Sequence, residues 1–386
     1  MRCWFLPQKY VFSSYFHTPL PVPLTATLRR LPLLISASLL LVSACKPDKD
    51  VEEAFSPATP LTLTKPASMP AIPAMPVDNP LTVEGVALGR MLFYEKQLSR
   101  DGRLSCGSCH QQSKAFTDGR ARALGVGGQQ HARSSMALMN LAWAKDFNWD
   151  GSQTELEKQA RVPLENPIEM HQSLAVSVSK LQQTSRYPRL FGQAFGSSRI
   201  TEENVLKALA QFERTLISSN SKYDKALRRE LLLSPAEQEG FVLMGHATGT
   251  LRAAECTHCH IDPLFVGAHR SFTNNGLDLG PYTDPGRGGV TGLAADMGAF
   301  KAPSLRNIAL TAPYMHDGRF QTLQQVLDHY SDHVKASADP LLLNSPNNLS
   351  GRILLTAAEK QKIIAFLHTL TDSTFITDPR FSDPNP

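Results

Sequence analysis

The sequence predicts an all-α chain in which two similar domains are related by an internal repeat. Three observations predict it. The word Cys-x-x-Cys-His occurs twice, at Cys106-Gly-Ser-Cys109-His110 and Cys256-Thr-His-Cys259-His260, 150 residues apart. Downstream, Ser135 to Gly151 matches Ala302 to Gly318 at a constant offset of 167, pairing Leu138 with Leu305, Asn140 with Asn307, Ala142 with Ala309 and Asp150-Gly151 with Asp317-Gly318. Apolar residues recur at helical spacing, and long alternating stretches of the strand type are absent.

Taken in chain order, residues 1–45 read as an export signal. Arg29-Arg30 precede an apolar run, Leu31 to Ala44, that is short for a permanent membrane span. The run ends in Val42-Ser43-Ala44-Cys45, small residues before a cysteine, as in a bacterial lipobox; an ordinary signal peptide with a chance cysteine is the plainer alternative. The lipobox reading puts the mature chain in the periplasm, held to the membrane through a lipid on Cys45 alone. Residues 46–80, rich in Pro, Thr and Ala without any period, read as a flexible linker.

The first domain is expected over 81–230 and the second over 231–386. A helix is expected from Thr201 to Ile217, with a Thr N-cap, an acidic first turn and apolar residues at Val205, Leu206, Leu209, Phe212 and Leu216. Thr356 to Leu370 repeats the pattern with Ile363, Ile364, Phe366, Leu367 and Leu370, so that Phe212–Leu216 is echoed by Phe366–Leu370.

A formal net charge of +4 without any Lys/Arg-rich stripe carries no nucleic-acid signature. Four of the six cysteines belong to the two CxxCH words, which leaves no even set for a disulfide framework. CxxCH is the attachment word of c-type haem: two thioether links and one axial imidazole. Zinc is the poorer reading, because two CxxC pairs would have to share one metal. Two covalently bound haem c groups therefore have Cys106, Cys109 and His110 at haem 1, and Cys256, Cys259 and His260 at haem 2. What each haem does depends on its sixth position: a filled one favours electron transfer, and an open one can bind peroxide or oxygen.

From about Leu81 to Leu370 the chain resembles bacterial dihaem cytochrome c peroxidases and the related MauG-type dihaem enzymes. The resemblance is carried by Leu104–His110, Asn148-Trp-Asp-Gly151, Pro163-Leu-Glu-Asn-Pro-Ile-Glu-Met170 and Pro303–Gly318. It implies two cytochrome-c-like haem domains, a peroxidatic haem 1 and a six-coordinate haem 2 that relays electrons. The family's sixth ligand to haem 2 is Met in the peroxidases and Tyr in the MauG type; here that position is Tyr330. His329 and Met315 are alternatives, and Tyr330 could instead simply pack near the haem. At the repeat offset Tyr330 meets Pro163, which has no ligand atom, so haem 1 is expected to be open.

The resemblance gives Glu169 the transfer of a proton between the peroxide oxygens. Trp149 stands where the family places an inter-haem tryptophan, with Gln159 a further distal group. His131 reads as a surface-loop residue first and a gating ligand second. The family also holds one Ca²⁺ between the domains; Thr311 and Pro313 match its carbonyl ligands, while Ser134 stands where an Asn is usual.

The functional expectation is a peroxidase that reduces hydrogen peroxide with electrons from a small donor protein, a cytochrome c or a cupredoxin. The alternative is a MauG-like oxidase that uses high-valent iron to modify a protein or small-molecule substrate, which Tyr330 favours. A purely electron-transferring cytochrome is opposed by Pro163 and Glu169.

Overall fold

The computed structural model describes residues 54–245, 253–267, 271–343 and 352–385. The export signal with Cys45, and residues 46–53, lie outside the described residues. Among the described residues no helix is long and apolar enough to cross a membrane.

Two helix pairs dominate. The first packs Val83–Phe93 against Glu202–Thr215. Thr82 caps the former by accepting from the Gly85 N–H, and Thr201 caps the latter by accepting from the Asn204 N–H. Glu202 and Glu203 lie in the first turn and Arg214 in the last, matching the helix dipole. The second pair packs Pro235–Met244 against Ala357–His368, capped by Ser234 and Thr356. The two long helices expected from Thr201 and from Thr356 are thus present, each slightly shorter than its apolar pattern.

Both pairs close on a glycine. A Cβ on Gly89 would stand 1.9 Å from the Ala208 carbonyl oxygen and 2.9 Å from the Phe212 Cβ. A Cβ on Gly240 would stand 2.0 Å from the Lys362 carbonyl oxygen and 2.9 Å from the Phe366 Cβ. The obstacle is backbone in each case, so the helices must part. Gly89→Ala and Gly240→Ala are each expected to lower stability by about 1–3 kcal/mol. Urea unfolding of the haem-loaded protein followed by circular dichroism checks this; an unchanged midpoint for both variants would contradict the packing.

Each pair carries its own apolar cluster. One gathers Leu88, Leu92, Phe93, Phe116, Leu209 and Phe212. The other gathers Tyr223, Phe265, Leu327, Ile363, Phe366 and Leu370. The end of the chain crosses back, with Phe375 and Phe381 packing into the first cluster.

A buried polar corner joins the two halves. Asn140 and Asn307 both take left-handed backbone, at φ 56° and 55°. The Asn140 N–H donates to the Leu216 carbonyl at 2.8 Å and the Asn307 N–H to the Leu370 carbonyl at 3.0 Å. Their side-chain oxygens accept from the Ser218 and Asp372 N–H groups at 2.9 and 2.7 Å. Asn307 Nδ2 then donates to Ser218 Oγ, and Ser218 Oγ to the Asp372 carboxylate.

Most regular elements of the described residues are helices, and a short strand pair departs from the all-α expectation. Phe272–Thr273 pairs antiparallel with Phe300–Lys301 inside the long insert after the second CxxCH word. Only two residues pair on each side, and nothing in their local sequence announces them. Residues 54–80, expected within a flexible linker, are tied to the body over their described part. Ser68 Oγ donates to Asp224, Trp143 Nε1 donates to the Ala71 carbonyl, and Met69 is buried.

Candidate functional site

Both CxxCH words form one tight helical turn. The His110 N–H donates to the Cys106 carbonyl, and the His260 N–H to the Cys256 carbonyl, each at 2.9 Å. All four cysteines are free of disulfides. Burial pushes the Cys109 thiol up to about 11 and the Cys256 thiol up to about 12.

The two imidazoles are prepared in the same way. His110 Nδ1 lies 2.8 Å from the Phe116 carbonyl oxygen, and His260 Nδ1 lies 3.2 Å from that of Phe265. A carbonyl only accepts, so Nδ1 carries the proton and Nε2 keeps its lone pair. Burial pushes both rings below the ordinary histidine value, which keeps them neutral. The two Phe residues take φ 62° and 52°, a costly conformation for a bulky side chain. That backbone aims each carbonyl at its imidazole. Two thiols and a buried imidazole whose Nδ1 is held by a carbonyl, present twice, fit two covalently held haems. Among the described residues no three His, Cys, Asp or Glu side chains converge as a metal-binding group.

Around the first word, Pro163 lies in the short helix Arg161–Glu165, its carbonyl accepting from the Met170 N–H at 3.1 Å. Glu169 follows in the next turn. Asn166 Nδ2 donates to Glu169 Oε1 at 2.7 Å, and His131 Nε2 lies 3.4 Å from the same oxygen. The Glu169 charge also bears on the Cys109 thiol. Glu169 and His131 are therefore brought together beside the first haem word. The Gln159 amide donates to Asn148 Oδ1 at 3.0 Å, in the turn that carries Trp149.

Trp149 is held between segments of both halves. Its Nε1–H donates to the Ser134 carbonyl at 2.9 Å, and its own carbonyl accepts from the Lys301 N–H at 2.8 Å. Ser134 in turn donates to the His316 carbonyl through N–H and to the Met315 carbonyl through Oγ. Arg133 clamps the same place, 2.6 Å from Asp150 and 2.7 Å from Asp284. Burial opposes both carboxylates' charge, but the guanidinium outweighs it and holds them below their usual range. Of the calcium candidates, Ser134 bonds two residues beyond Pro313, and the Thr311 hydroxyl donates to the Ile308 carbonyl at 3.2 Å.

Around the second word, Tyr330 sits in a π-helical turn, His329–His333, that continues the helix Leu323–Asp328. Such widened turns often mark functional positions. Burial pushes the phenol up to about 12 against a hydrogen bond from Asn275, and the charges of Cys259 and Cys256 bear on it. Asn275 Nδ2 lies 3.4 Å from Tyr330 Oη and 3.5 Å from Met315 Sδ. His329 Nε2 donates to the Asn275 carbonyl at 2.9 Å.

Sequence reasoning missed Asn275, Asn166, Arg133 and the Phe116 and Phe265 carbonyls. Only the Phe pair left a signal: a Phe follows His110 by six residues and His260 by five.

The family model described as di-haem cytochrome c peroxidase matches residues 83–231. The methylamine utilization protein MauG of Methylorubrum extorquens is 38% identical over 297 residues, covering 76% of this chain and 80% of that protein. The cytochrome c551 peroxidase of Nitrosomonas europaea is 34% identical over 306 residues, covering 78% of this chain and 84% of that protein. Among solved structures, a MauG-like protein associated with microbial copper homeostasis is 38% identical, with a TM-score of 0.74 over 84% of this chain and 99% of that one.

Proposed function

The chain belongs to the di-haem cytochrome c peroxidase and MauG family, and from that premise we propose that it reduces hydrogen peroxide at haem 1 with electrons delivered through haem 2 by a small redox protein. It is an oxidoreductase with two haem c groups. Bound haem iron supplies the electrons and the centre at which the peroxide O–O bond is cleaved. The protein's part is to hold each iron through His110 or His260 and to manage protons and electron paths around them.

The carrying observation is the inequality of the two pockets. Beside the first word stands Glu169, held by Asn166 and with its charge bearing on Cys109, while the repeat sets Pro163, which cannot ligate, at the position of Tyr330. Beside the second stands Tyr330, buried near Cys256 and Cys259. With haem bound, Glu169 would be the group that accepts a proton from one peroxide oxygen and returns it to the other, which would leave as water. His131, within reach of the same carboxylate, supplies the next proton. Tyr330 would be the protein's second ligand to haem 2, beside His260. Trp149 carries electrons between the pockets, a role supported by its bond to Ser134 and the Ser134 bond to Met315.

The same reading takes the chain as two cytochrome-c-like units related by a repeat, over 81–230 and 231–386. Matched glycine closures, matched Asn corners and matched Phe carbonyls support it. Calcium at Thr311, Pro313 and Ser134 would bind by carbonyl and hydroxyl oxygens. Export to the periplasm with a lipid on Cys45 rests on the leader sequence. A MauG-like oxidase acting on a protein or small molecule is the second reading, favoured by Tyr330 in place of Met.

Absorption and EPR spectra of the diferric protein before and after peroxide addition test the proposal. A high-spin haem that responds to peroxide, with turnover on addition of a reduced cytochrome c or cupredoxin, is expected. Two low-spin haems unmoved by peroxide or by reduction would end both enzymatic readings. A lasting two-equivalent oxidised state without donor turnover would favour the second.

A further inference from the structure

Around Tyr330 stand two more side chains with an atom able to bind iron, the Met315 thioether and the His329 imidazole. One residue touches all three. Asn275 presents Nδ2 to Tyr330 Oη at 3.4 Å and to Met315 Sδ at 3.5 Å, while its carbonyl accepts from His329 Nε2 at 2.9 Å.

The placement of Asn275 is fixed on both sides. Asn274 Nδ2 donates to Tyr282 Oη at 2.9 Å and to the Met297 carbonyl at 3.1 Å, and its Oδ1 accepts from the Gly276 N–H at 3.0 Å. The Asn274 carbonyl accepts from the Asp339 N–H and the Gly276 carbonyl from the Lys335 N–H. Gly276 takes φ 69°, and a Cβ there would stand 2.7 Å from Val334 Cγ1. Residues 274–276 are thus wedged against the segment that directly follows the π-helical turn bearing Tyr330. The Asn275 amide belongs to a braced backbone, opposite the turn it contacts.

The chemistry separates the three candidates. The Asn275 carbonyl occupies His329 Nε2, so that nitrogen donates a proton and offers no lone pair. A thioether is a weak acceptor and gains little from an amide N–H. A phenolate has no proton and can only accept, and a hydrogen bond to an ionised oxygen is among the stronger kinds. An N–H fixed toward Oη therefore favours the anionic oxygen over the neutral sulfur.

We propose that Asn275 is a positioning residue for haem 2: it withdraws His329, passes over Met315 and donates to the Tyr330 oxygen, so that the phenolate is the ligand presented to iron and its donor strength is moderated. The inference rests on the reading of Tyr330 as the sixth ligand of haem 2.

The test uses the purified dihaem protein and three variants, Asn275→Leu, Asn275→Asp and Tyr330→Phe, with EPR, absorption and redox titration of each haem as readouts. Asn275→Leu keeps the branched shape, at a somewhat larger volume, and removes the donor. The unmoderated phenolate then donates more strongly, so the haem 2 potential shifts downward and its g-values and phenolate-to-iron absorption move, while haem 1 is unchanged. Asn275→Asp places a carboxylate against the phenolate and loses that absorption, giving a haem 2 spectrum like that of Tyr330→Phe. If Asn275→Leu fails to retain haem 2, Asn275→Asp carries the test. If both Asn275 variants keep the parent g-values and potential while Tyr330→Phe changes them, Asn275 is passive and the ligand assignment stands. If Tyr330→Phe itself matches the parent, the ligand assignment fails and the inference falls with it.

Discussion

Glu169→Gln is expected to slow peroxide consumption by about a hundred- to ten-thousandfold, the range typical of losing one general acid–base group. The geometry makes the substitution clean. Asn166 Nδ2 donates to Glu169 Oε1, and a glutamine carbonyl oxygen in the same place accepts equally well. Side-chain volume and the turn after Pro163 are preserved. What is lost is the ability to take a proton from one peroxide oxygen and hand it to the other. Stopped-flow mixing of the reduced protein with peroxide measures the rate, and the resting spectrum verifies that haem 1 is intact. Activity within threefold of the parent, with an unaltered spectrum, would remove Glu169 from the chemistry. His131→Ala should cost less, because that ring touches the carboxylate at 3.4 Å and can be replaced by solvent in the partly exposed pocket.

Much of the haem framework could be read from sequence because it is local. A CxxCH word brings its own ligands within one turn, and helices announce themselves through caps such as Thr201 and Thr356 together with a 3.6-residue apolar period. Glu169 could be singled out because the surrounding word is distinctive, and the geometry sets it beside Cys109. The residues missed act across the chain. Arg133 reaches Asp284 over 151 positions, and Asn275 reaches Tyr330 over 55. Neither arginine nor asparagine in a loop carries any mark of its partner. The Phe116 and Phe265 carbonyls were harder to read for another reason: a Phe after each His is visible in the sequence, but the positive φ that aims its carbonyl at the imidazole is not. The short strand pair at Phe272 and Phe300 needs the fold of the insert to bring two residues together, and local propensity is silent about it.

Arg306→Leu is expected to cost about 3–5 kcal/mol of stability, the usual penalty for leaving one member of a buried ion pair alone. Arg306 and Asp224 have side chains that are 0% exposed and meet through two 2.8 Å bonds. Arg306 Nε also donates to the Pro263 carbonyl at 2.8 Å, three residues beyond His260. Asp224 additionally accepts from Ser221 N–H at 2.9 Å and from Ser68 Oγ at 2.9 Å. The pair thereby ties residues 54–80, the Lys222–Leu227 helix and the second haem word to one charge. Burial by itself would raise the Asp224 carboxyl, but the Arg306 hydrogen bonds and charge outweigh it and hold the group below the usual carboxylate range. A depressed folded-state pKa means that the stabilisation is present above the unfolded value, about 3.9, and is lost as pH falls through the folded one. In Arg306→Leu the unpaired carboxyl is instead raised by burial, so its penalty is felt at neutral pH and fades as the group protonates. The stability gap between parent and variant should therefore be widest near neutrality and narrow below about pH 4. Urea unfolding across that range measures it. The double variant Asp224→Leu/Arg306→Leu, which removes the stranded charge, should recover part of the loss. A single variant within about 1 kcal/mol of the parent at neutral pH, or a double variant no better than the single, would show that this charge pair does not hold the haem 2 segment in place.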